Sequence, residues 1–152
     1  MMKARWRNCS LALAVFAVAS PLLAAPADVV RTRVSGFREL GAAFKAVNDG
    51  LRGDVQTVLI AQSARQIRNA AHAQYDWFPA GSGPQSGAKT RAKPEIWLQA
   101  AKFKAAQDAF AKAADDFQRV SGGKDVAAIR AGAQKLGGTC KSCHDAFRGP
   151  EN

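Results

Sequence analysis

The chain has 152 residues, which is enough for one domain with a buried core. Its 22 lysines and arginines outnumber 12 aspartates and glutamates, but the basic residues alternate with acids and form no block. The charge pattern therefore argues against nucleic-acid binding and indicates only a weak preference for acidic partners or anionic surfaces.

The N-terminus is typical of a secretory signal peptide spanning residues 1–27. A basic head, "MMKARWRNCS", is followed by the apolar run "LALAVFAVASPLLA" and then by small residues in "AAPAD". The apolar run is too short and too poorly flanked for a good membrane span, although an uncleaved anchor is the alternative. We expect cleavage between about residues 24 and 27 and a periplasmic mature chain without a membrane span.

Removal of this leader changes the composition of the mature chain. Cleavage removes Lys3, Arg5 and Arg7 and no acidic residue, so the net charge falls from +10 to +7. Cys9 also leaves, and only two cysteines remain. Both methionines of the chain, at positions 1 and 2, lie in the leader, so the mature protein contains none.

Two amphipathic helices and a long loop are predicted in the first half of the mature chain. The first helix covers about 28–48 and the second about 54–72. Their apolar stripes are Val30, Val34, Phe37, Gly41, Phe44 and Val47 in the first helix and Ile60, Ala64, Ile67 and Ala71 in the second. The glycine- and proline-rich stretch "YDWFPAGSGPQSGAKTRAKP" predicts a loop that crosses the end of a helix bundle.

Two more helices follow. The third opens at Pro94 and Glu95, both favourable in a first turn, and continues to about residue 120. The fourth begins after Asp125, which is a good N-cap residue. Their apolar residues are Ile96, Ala100, Phe103, Ala106, Phe110, Ala113, Phe117 and Val120 in the third helix, then Val126, Ile129, Ala133, Leu136, Cys140, Cys143 and Phe147 in the fourth. Four such helices without strand signals predict an all-α antiparallel four-helix bundle over residues 28–152.

The C-terminal stretch "GGTCKSCHDAFRGP" contains a Cys-x-x-Cys-His motif that could serve three chemistries. Structural zinc needs four ligands, and the mature chain offers only Cys140, Cys143, His144 and the distant His72. A reactive dithiol belongs at a helix N-terminus beside a βαβ unit, whereas this pair lies late in a helix of an all-helical chain. Neither setting matches well.

Covalent haem attachment matches the motif and its setting. In Cys-x-x-Cys-His, two thioether bonds hold the haem and the adjoining histidine becomes an axial iron ligand. We therefore predict one haem c, attached through Cys140 and Cys143 and ligated by His144. Attachment takes place outside the cytoplasm, in agreement with the predicted export. No acid–base pair or nucleophile constellation indicates an enzyme.

These residues resemble the class II c-type cytochromes, in particular the cytochrome c′ family. The similarity covers nearly the whole mature chain and is carried by "CKSCHDAFR", by "AKPEIW" with "AAKFKAAQDAF", by the Trp77-containing loop and by "RTRVSGFRELGAAF". The resemblance implies that Arg33 lies near a haem propionate and that Phe37 faces the iron from the distal side. It also implies a homodimer through the first two helices.

Three further features refine this expectation. Arg148 lies one turn after His144, and the resemblance implies that it corresponds to the family's basic residue near the proximal histidine. The alternative is that Arg148 is a positive charge that interacts favourably with the dipole at the helix C-terminus. The family's usual glutamine after the first-helix arginine is replaced by Val34. Without methionine in the mature chain, methionine ligation is excluded.

The expected function is a haem protein for gas binding and electron transfer. With Phe37 above the iron, the haem should be five-coordinate and should favour nitric oxide and carbon monoxide, which need no hydrogen-bond donor. The alternative is a six-coordinate, low-spin electron carrier with His72 or a lysine as sixth ligand. Its redox partner is not indicated by the sequence.

Overall fold

The protein is described as a computed structural model covering residues 25–150. The predicted leader lies almost entirely outside these residues and stays a prediction. The helices are α1 (Pro26–Gly50), α2 (Thr57–Ala73), α3 (Glu95–Leu98), α4 (Ala100–Ser121) and α5 (Val126–Phe147), with 3-10 turns at Gln74–Trp77 and Pro84–Ser86. None of the helices in the described range is long and apolar enough to cross a membrane.

The long helices confirm the predicted four-helix bundle. Helix α1 packs on α2, α2 on α4 and α4 on α5. The buried residues form one main core between these helices and a smaller second core, at the end where the α2–α3 loop crosses. Ile96, Phe103 and Phe147 form the second core, against which Phe78, Trp97 and Cys143 pack.

Helices α2 and α5 follow the predicted pattern closely. All four apolar positions of the α2 stripe are fully buried, as are Ile129 and Leu136 of α5. The carboxylate of Asp125 accepts a hydrogen bond of 3.0 Å from the Ala128 amide, as expected of an N-cap residue. The helix that carries the Cys-x-x-Cys-His motif is therefore fixed both at its start and along its inner face.

The predicted inner face of α1 is partly wrong. Val34 is 37 % exposed and Gly41 is exposed, whereas Arg33 and Ala43 are buried. Helix α1 is rotated towards the α2–α3 loop, whose carbonyl and hydroxyl oxygens accept hydrogen bonds from Arg33. A polar residue can occupy the inner face because its donors are satisfied there.

The predicted third helix is interrupted at Gln99, whose backbone angles (φ −120°, ψ 47°) are not helical. Ile96 is buried in the second core, and the Trp97 indole N–H donates to the Phe78 and Pro79 carbonyls in the loop. These contacts hold the short helix α3 against the loop. The helix breaks at Gln99, and α4 begins at Ala100. Ala100, placed on the buried stripe by its spacing, is exposed.

Candidate haem site

Cys140 and Cys143 lie near the end of α5 and connect the two cores. They are three residues apart and therefore share one helix face. Cys140 packs against the main core, together with Leu40 and Phe44 of α1, and Cys143 packs against the second core. Neither cysteine forms a disulfide, and both are half-buried. The two thiols thus border the interior from the side of α5, as covalent attachment of a group inside the bundle requires.

The environment of the thiols does not favour dithiol redox chemistry. Desolvation by burial raises the pKa of Cys140, and it raises the pKa of Cys143 to about 11, with a further contribution from Cys140. A thiol with a raised pKa is a poor nucleophile at neutral pH, because the thiolate is the reactive form. Burial therefore keeps the pair largely in the thiol form at neutral pH and disfavours exchange with disulfides.

The zinc hypothesis lacks a ligand set in the described part of the chain. Between residues 25 and 150, no three histidine, cysteine, aspartate or glutamate side chains come together in a way that could hold a metal ion. His72 lies away from the motif: its Nε2 is 3.1 Å from the Asp115 carboxylate, which also accepts a 2.7 Å hydrogen bond from Arg68.

His144 lies on the exposed side of the last turns of α5. Desolvation lowers its pKa, the nearby cations Arg148 and Arg91 lower it further, and Asp145 opposes them. The neutral imidazole, which is the form that binds a metal, is therefore favoured at neutral pH. This protonation state fits the role of an axial iron ligand.

A short backbone bridge fixes α5 directly after His144. The Arg148 amide donates to the His144 carbonyl at 3.0 Å, and Arg148 forms an antiparallel bridge with Ala92. The Gly149 amide donates to the Arg91 carbonyl at 2.7 Å, and the Arg91 Nε donates to the Gly149 carbonyl at 3.0 Å. Arg148 and Arg91 are the two cations whose charges act on His144, and the role of Arg148 on the proximal side stays a prediction.

The contribution of the α2–α3 loop to this region was not predicted from the sequence. Lys93 donates through its backbone amide to the Phe147 carbonyl at 3.0 Å and through its ammonium group to the Asp145 carbonyl at 3.1 Å. These bonds satisfy free carbonyls at the helix C-terminus, where a cation is also favoured by the dipole. Only the proximity of "TRAKP" to the start of α3 hinted at such a role, and spacing alone could not reveal the pairing.

Arg33 is a buried cation that has no acidic hydrogen-bond partner among residues 25–150. It is 3 % exposed, and its guanidinium donates to the Trp77 carbonyl, to the Ser82 carbonyl and hydroxyl, and to the Thr90 hydroxyl, at 2.9–3.2 Å. Desolvation lowers its pKa. A buried cation held only by neutral groups is favourably placed for an anion, and a carboxylate of the haem would supply one.

Phe37 lies in a continuous group of aromatic rings, which we call the aromatic cluster. The group consists of Phe37, Trp77, Phe78, Trp97, Phe103 and Phe147. Phe37 contacts Trp77 and Phe78, and Phe78 packs against the same second core as Cys143. The structure therefore connects the predicted distal residue of α1 with the cysteine motif of α5 through packed rings.

The residues present fit a haem group. Two half-buried thiols, an adjoining neutral imidazole, a buried arginine bonded to loop carbonyls and hydroxyls, and an aromatic wall surround one end of the bundle. Helices α1 and α5 approach each other where Phe44 meets Gly137 and where Arg130 donates to the Leu51 carbonyl at 2.7 Å. An all-helical bundle with Cys-x-x-Cys-His on its last helix defines a c-type cytochrome.

Comparison with known proteins gives the family. A family model described as cytochrome c′ matches residues 28–148. Cytochrome c′ of Rubrivivax gelatinosus is 33 % identical over 125 residues, which are 81 % of this chain and 95 % of the relative, and that of Rhodopseudomonas palustris is 34 % identical over 82 % of this chain and 84 % of the relative. The chain belongs to the cytochrome c′ family, whose members carry covalently bound haem c.

Solved structures agree with this assignment. The crystal structure of cytochrome c′ from Rubrivivax gelatinosus matches with a TM-score of 0.75 and 31 % identity, and the match covers 81 % of this chain and 96 % of that one. A mutant of cytochrome c prime from Alcaligenes xylosoxidans, solved as a nitric oxide complex, matches with a TM-score of 0.77 and 25 % identity over 85 % and 99 % of the two chains.

Proposed function

We propose that this protein is a periplasmic cytochrome with a five-coordinate haem, which binds nitric oxide and carbon monoxide on the side of Phe37 and can transfer electrons. When bound, haem c supplies an iron centre that takes up gases and changes oxidation state by one electron. Cys140 and Cys143 would hold it covalently, and His144 would be its axial ligand. We infer a binding and electron-transfer role rather than catalysis of a substrate reaction.

The observation that carries the proposal is the placement of Phe37 in the aromatic cluster, at the end of the bundle where Cys143 also packs. The Phe37 ring has no hydrogen-bond donor, so bound dioxygen gains little from it, whereas nitric oxide and carbon monoxide need no donor. The nitric oxide complex of the Alcaligenes xylosoxidans relative supports the same ligand class.

The competing six-coordinate carrier needs a strong ligand on the distal side. His72 is exposed and bonded to Asp115, on the surface shared by α2 and α4. Among lysines near the motif, Lys141 pairs with Asp145 and Lys93 caps the end of α5, both close to His144. These positions favour an open distal side and disfavour the alternative.

Two further proposals concern location and assembly. We infer export to the periplasm from the predicted signal peptide, because covalent haem attachment takes place outside the cytoplasm. We also infer a homodimer through α1 and α2, as the resemblance to the family implies; Val34 of α1 and Val58 of α2 are exposed apolar side chains on these helices.

The absorption spectrum tests this function. We expect a high-spin spectrum in the ferrous protein and uptake of carbon monoxide without loss of an existing protein ligand. A low-spin, six-coordinate spectrum in both oxidation states would overturn the five-coordinate proposal and favour His72 or a lysine. Protein exported to the periplasm of a host competent in haem attachment, but lacking covalent haem, would overturn the cytochrome assignment itself.

A further inference from the structure

We propose that Trp77 is a positioning residue that holds the Phe37 ring in place, and that Gly36 is the residue that admits Trp77 to this position. Together they would set the size of the ligand that the distal side accepts. The inference rests on the proposed function, because it concerns the face of the bundle where Phe37 covers the iron.

Gly36 is the point of closest approach between α1 and the loop. A Cβ atom at this position would lie 2.4 Å from both Cη2 and Cζ2 of Trp77, closer than real Cβ contacts allow. Glycine inside a helix is unfavourable by about 1 kcal/mol relative to alanine. Its presence at position 36 is explained by the indole that lies against the helix backbone.

Trp77 and Phe78 restrain Phe37 from two directions. The Phe37 and Trp77 rings are edge to face, with centroids 4.9 Å apart and an interplanar angle of 81°. The Phe37 and Phe78 centroids are 6.0 Å apart at 57°. The edge-to-face contact with Trp77 is a favoured aromatic geometry, the Phe78 ring is tilted against Phe37, and the two neighbours together limit the rotamers of the Phe37 side chain.

Trp77 is itself fixed to α1. Arg33, one turn before Phe37, donates from Nη1 to the Trp77 carbonyl at 3.2 Å. The same guanidinium lies over the Phe78 ring. This hydrogen bond ties the Trp77 backbone to the helix that carries Phe37 and so helps to hold the indole beside the phenyl ring.

This restraint has a functional consequence that is distinct from stability. A fixed Phe37 ring defines a distal space of fixed size, whereas a ring released from Trp77 can move aside. A diatomic ligand needs little of this movement, and a larger ligand needs more. Loss of the Trp77 contact should therefore relax the discrimination between small and large ligands, which a purely structural role would not do.

The test uses the ferrous holoprotein and two probes, carbon monoxide and n-butyl isocyanide, with association rates measured after flash photolysis. The variants are Trp77→Leu, Gly36→Ala and the double variant, with Phe37→Ala as reference. Gly41→Ala is the matched control, because this glycine lies in the same helix and a Cβ there meets nothing.

We expect Trp77→Leu to raise the isocyanide rate relative to the carbon monoxide rate about threefold to tenfold, the factor that corresponds to one aromatic edge-to-face contact. Gly36→Ala should act in the same direction, because its Cβ displaces the indole. The double variant should equal Trp77→Leu alone, since Gly36→Ala acts only through Trp77. Gly41→Ala should match the wild type.

A second readout is independent of ligand binding. In urea unfolding, Gly36→Ala should lower the midpoint in the wild-type background and raise it in the Trp77→Leu background, whereas Gly41→Ala should raise it in both. If Phe37→Ala accelerates the isocyanide but Trp77→Leu and Gly36→Ala leave the ratio of rates unchanged, the inference is overturned and the proposed function stands. If Phe37→Ala also leaves both rates unchanged, the distal assignment of Phe37 falls, and this inference with it.

Discussion

The guanidinium carbon of Arg33 lies 4.8 Å from the centroid of the Phe78 ring. This contact joins a buried cation of α1 to the aromatic cluster, and the same side chain bonds to three positions of the α2–α3 loop. Arg33 therefore attaches three positions of the loop to α1 by hydrogen bonds. Cation–π contacts of this kind contribute more when they are shielded from water.

Replacement of Arg33 should destabilise the protein markedly. Arg33→Met leaves the Trp77 and Ser82 carbonyls without their donors, and hydrogen bonds to charged groups contribute about 1.5–3 kcal/mol each. We expect a loss of about 2–4 kcal/mol in the free energy of unfolding, measured by urea denaturation. Arg38→Met, at an exposed position of the same helix, is the control and should change it by less than about 0.5 kcal/mol. Equal effects of the two would contradict the attachment.

The N-cap of α5 gives a second stability prediction. Asp125→Ala removes the acceptor of the Ala128 amide and should cost about 1 kcal/mol. The matched control is Asp54→Ala, an exposed aspartate before α2 that does not occupy the N-cap position, which is Gln56. Thermal unfolding of the holoproteins measures both. If the two variants lose the same stability, the cap does not explain the start of this helix.

Tyr75 should titrate far above the usual range. Burial and the hydrogen bond to Asp108 raise its pKa from 10.0 to about 12. Because the folded pKa is raised, the associated stability is fully present below pH 10 and is lost as the pH rises from about 10 to 12. Tyr75 is the single tyrosine of the chain, so phenolate absorbance reports it alone.

The control for this titration is Tyr75→Phe, whose absorbance change reports the haem and is subtracted. Asp108→Asn should move the titration midpoint down towards the usual value, because the carboxylate provides the hydrogen bond and part of the electrostatic effect. A midpoint near 10 in the wild type would contradict the Tyr75–Asp108 contact.

Covalent haem should depend on both cysteines but not on the histidine. The double variant Cys140→Ala/Cys143→Ala should lose haem on extraction with acidified acetone, because no thioether bond remains. His144→Ala should retain haem through this extraction and show an altered iron spectrum. The mass of the intact protein checks both results. Haem retained covalently by the double variant would show that attachment uses another residue.

Local patterns predicted much of the fold. The α2 stripe and the motif-bearing face of α5 follow from steps of three and four residues, since these place side chains on one helix face. The cap at Asp125 is equally local. By contrast, the burial of Arg33 depends on acceptors 44 to 57 residues further along the chain, in a loop without periodicity.

The other differences between the predictions and the structure also come from contacts between residues distant in sequence. The break at Gln99 is explained by the contacts of Ile96 and Trp97 with the loop. The hydrogen bonds between Arg91 and Gly149 bring the Arg91 charge near enough to lower the pKa of His144. None of these contacts can be predicted from the spacing of apolar residues along a helix. The motif residues themselves were predictable, because Cys-x-x-Cys-His is defined by chemistry within five consecutive positions.

The central claim is that residue 37 faces the iron on the side opposite His144. Phe37→Met tests it most directly, because a thioether placed there can become the sixth ligand that the mature chain otherwise lacks. Leu40→Met, one turn further along α1, is the control. We predict a low-spin ferric spectrum with the methionine-to-iron charge-transfer band in Phe37→Met only. A Phe37→Met protein that stays high-spin, or a Leu40→Met protein that becomes low-spin, would contradict this account.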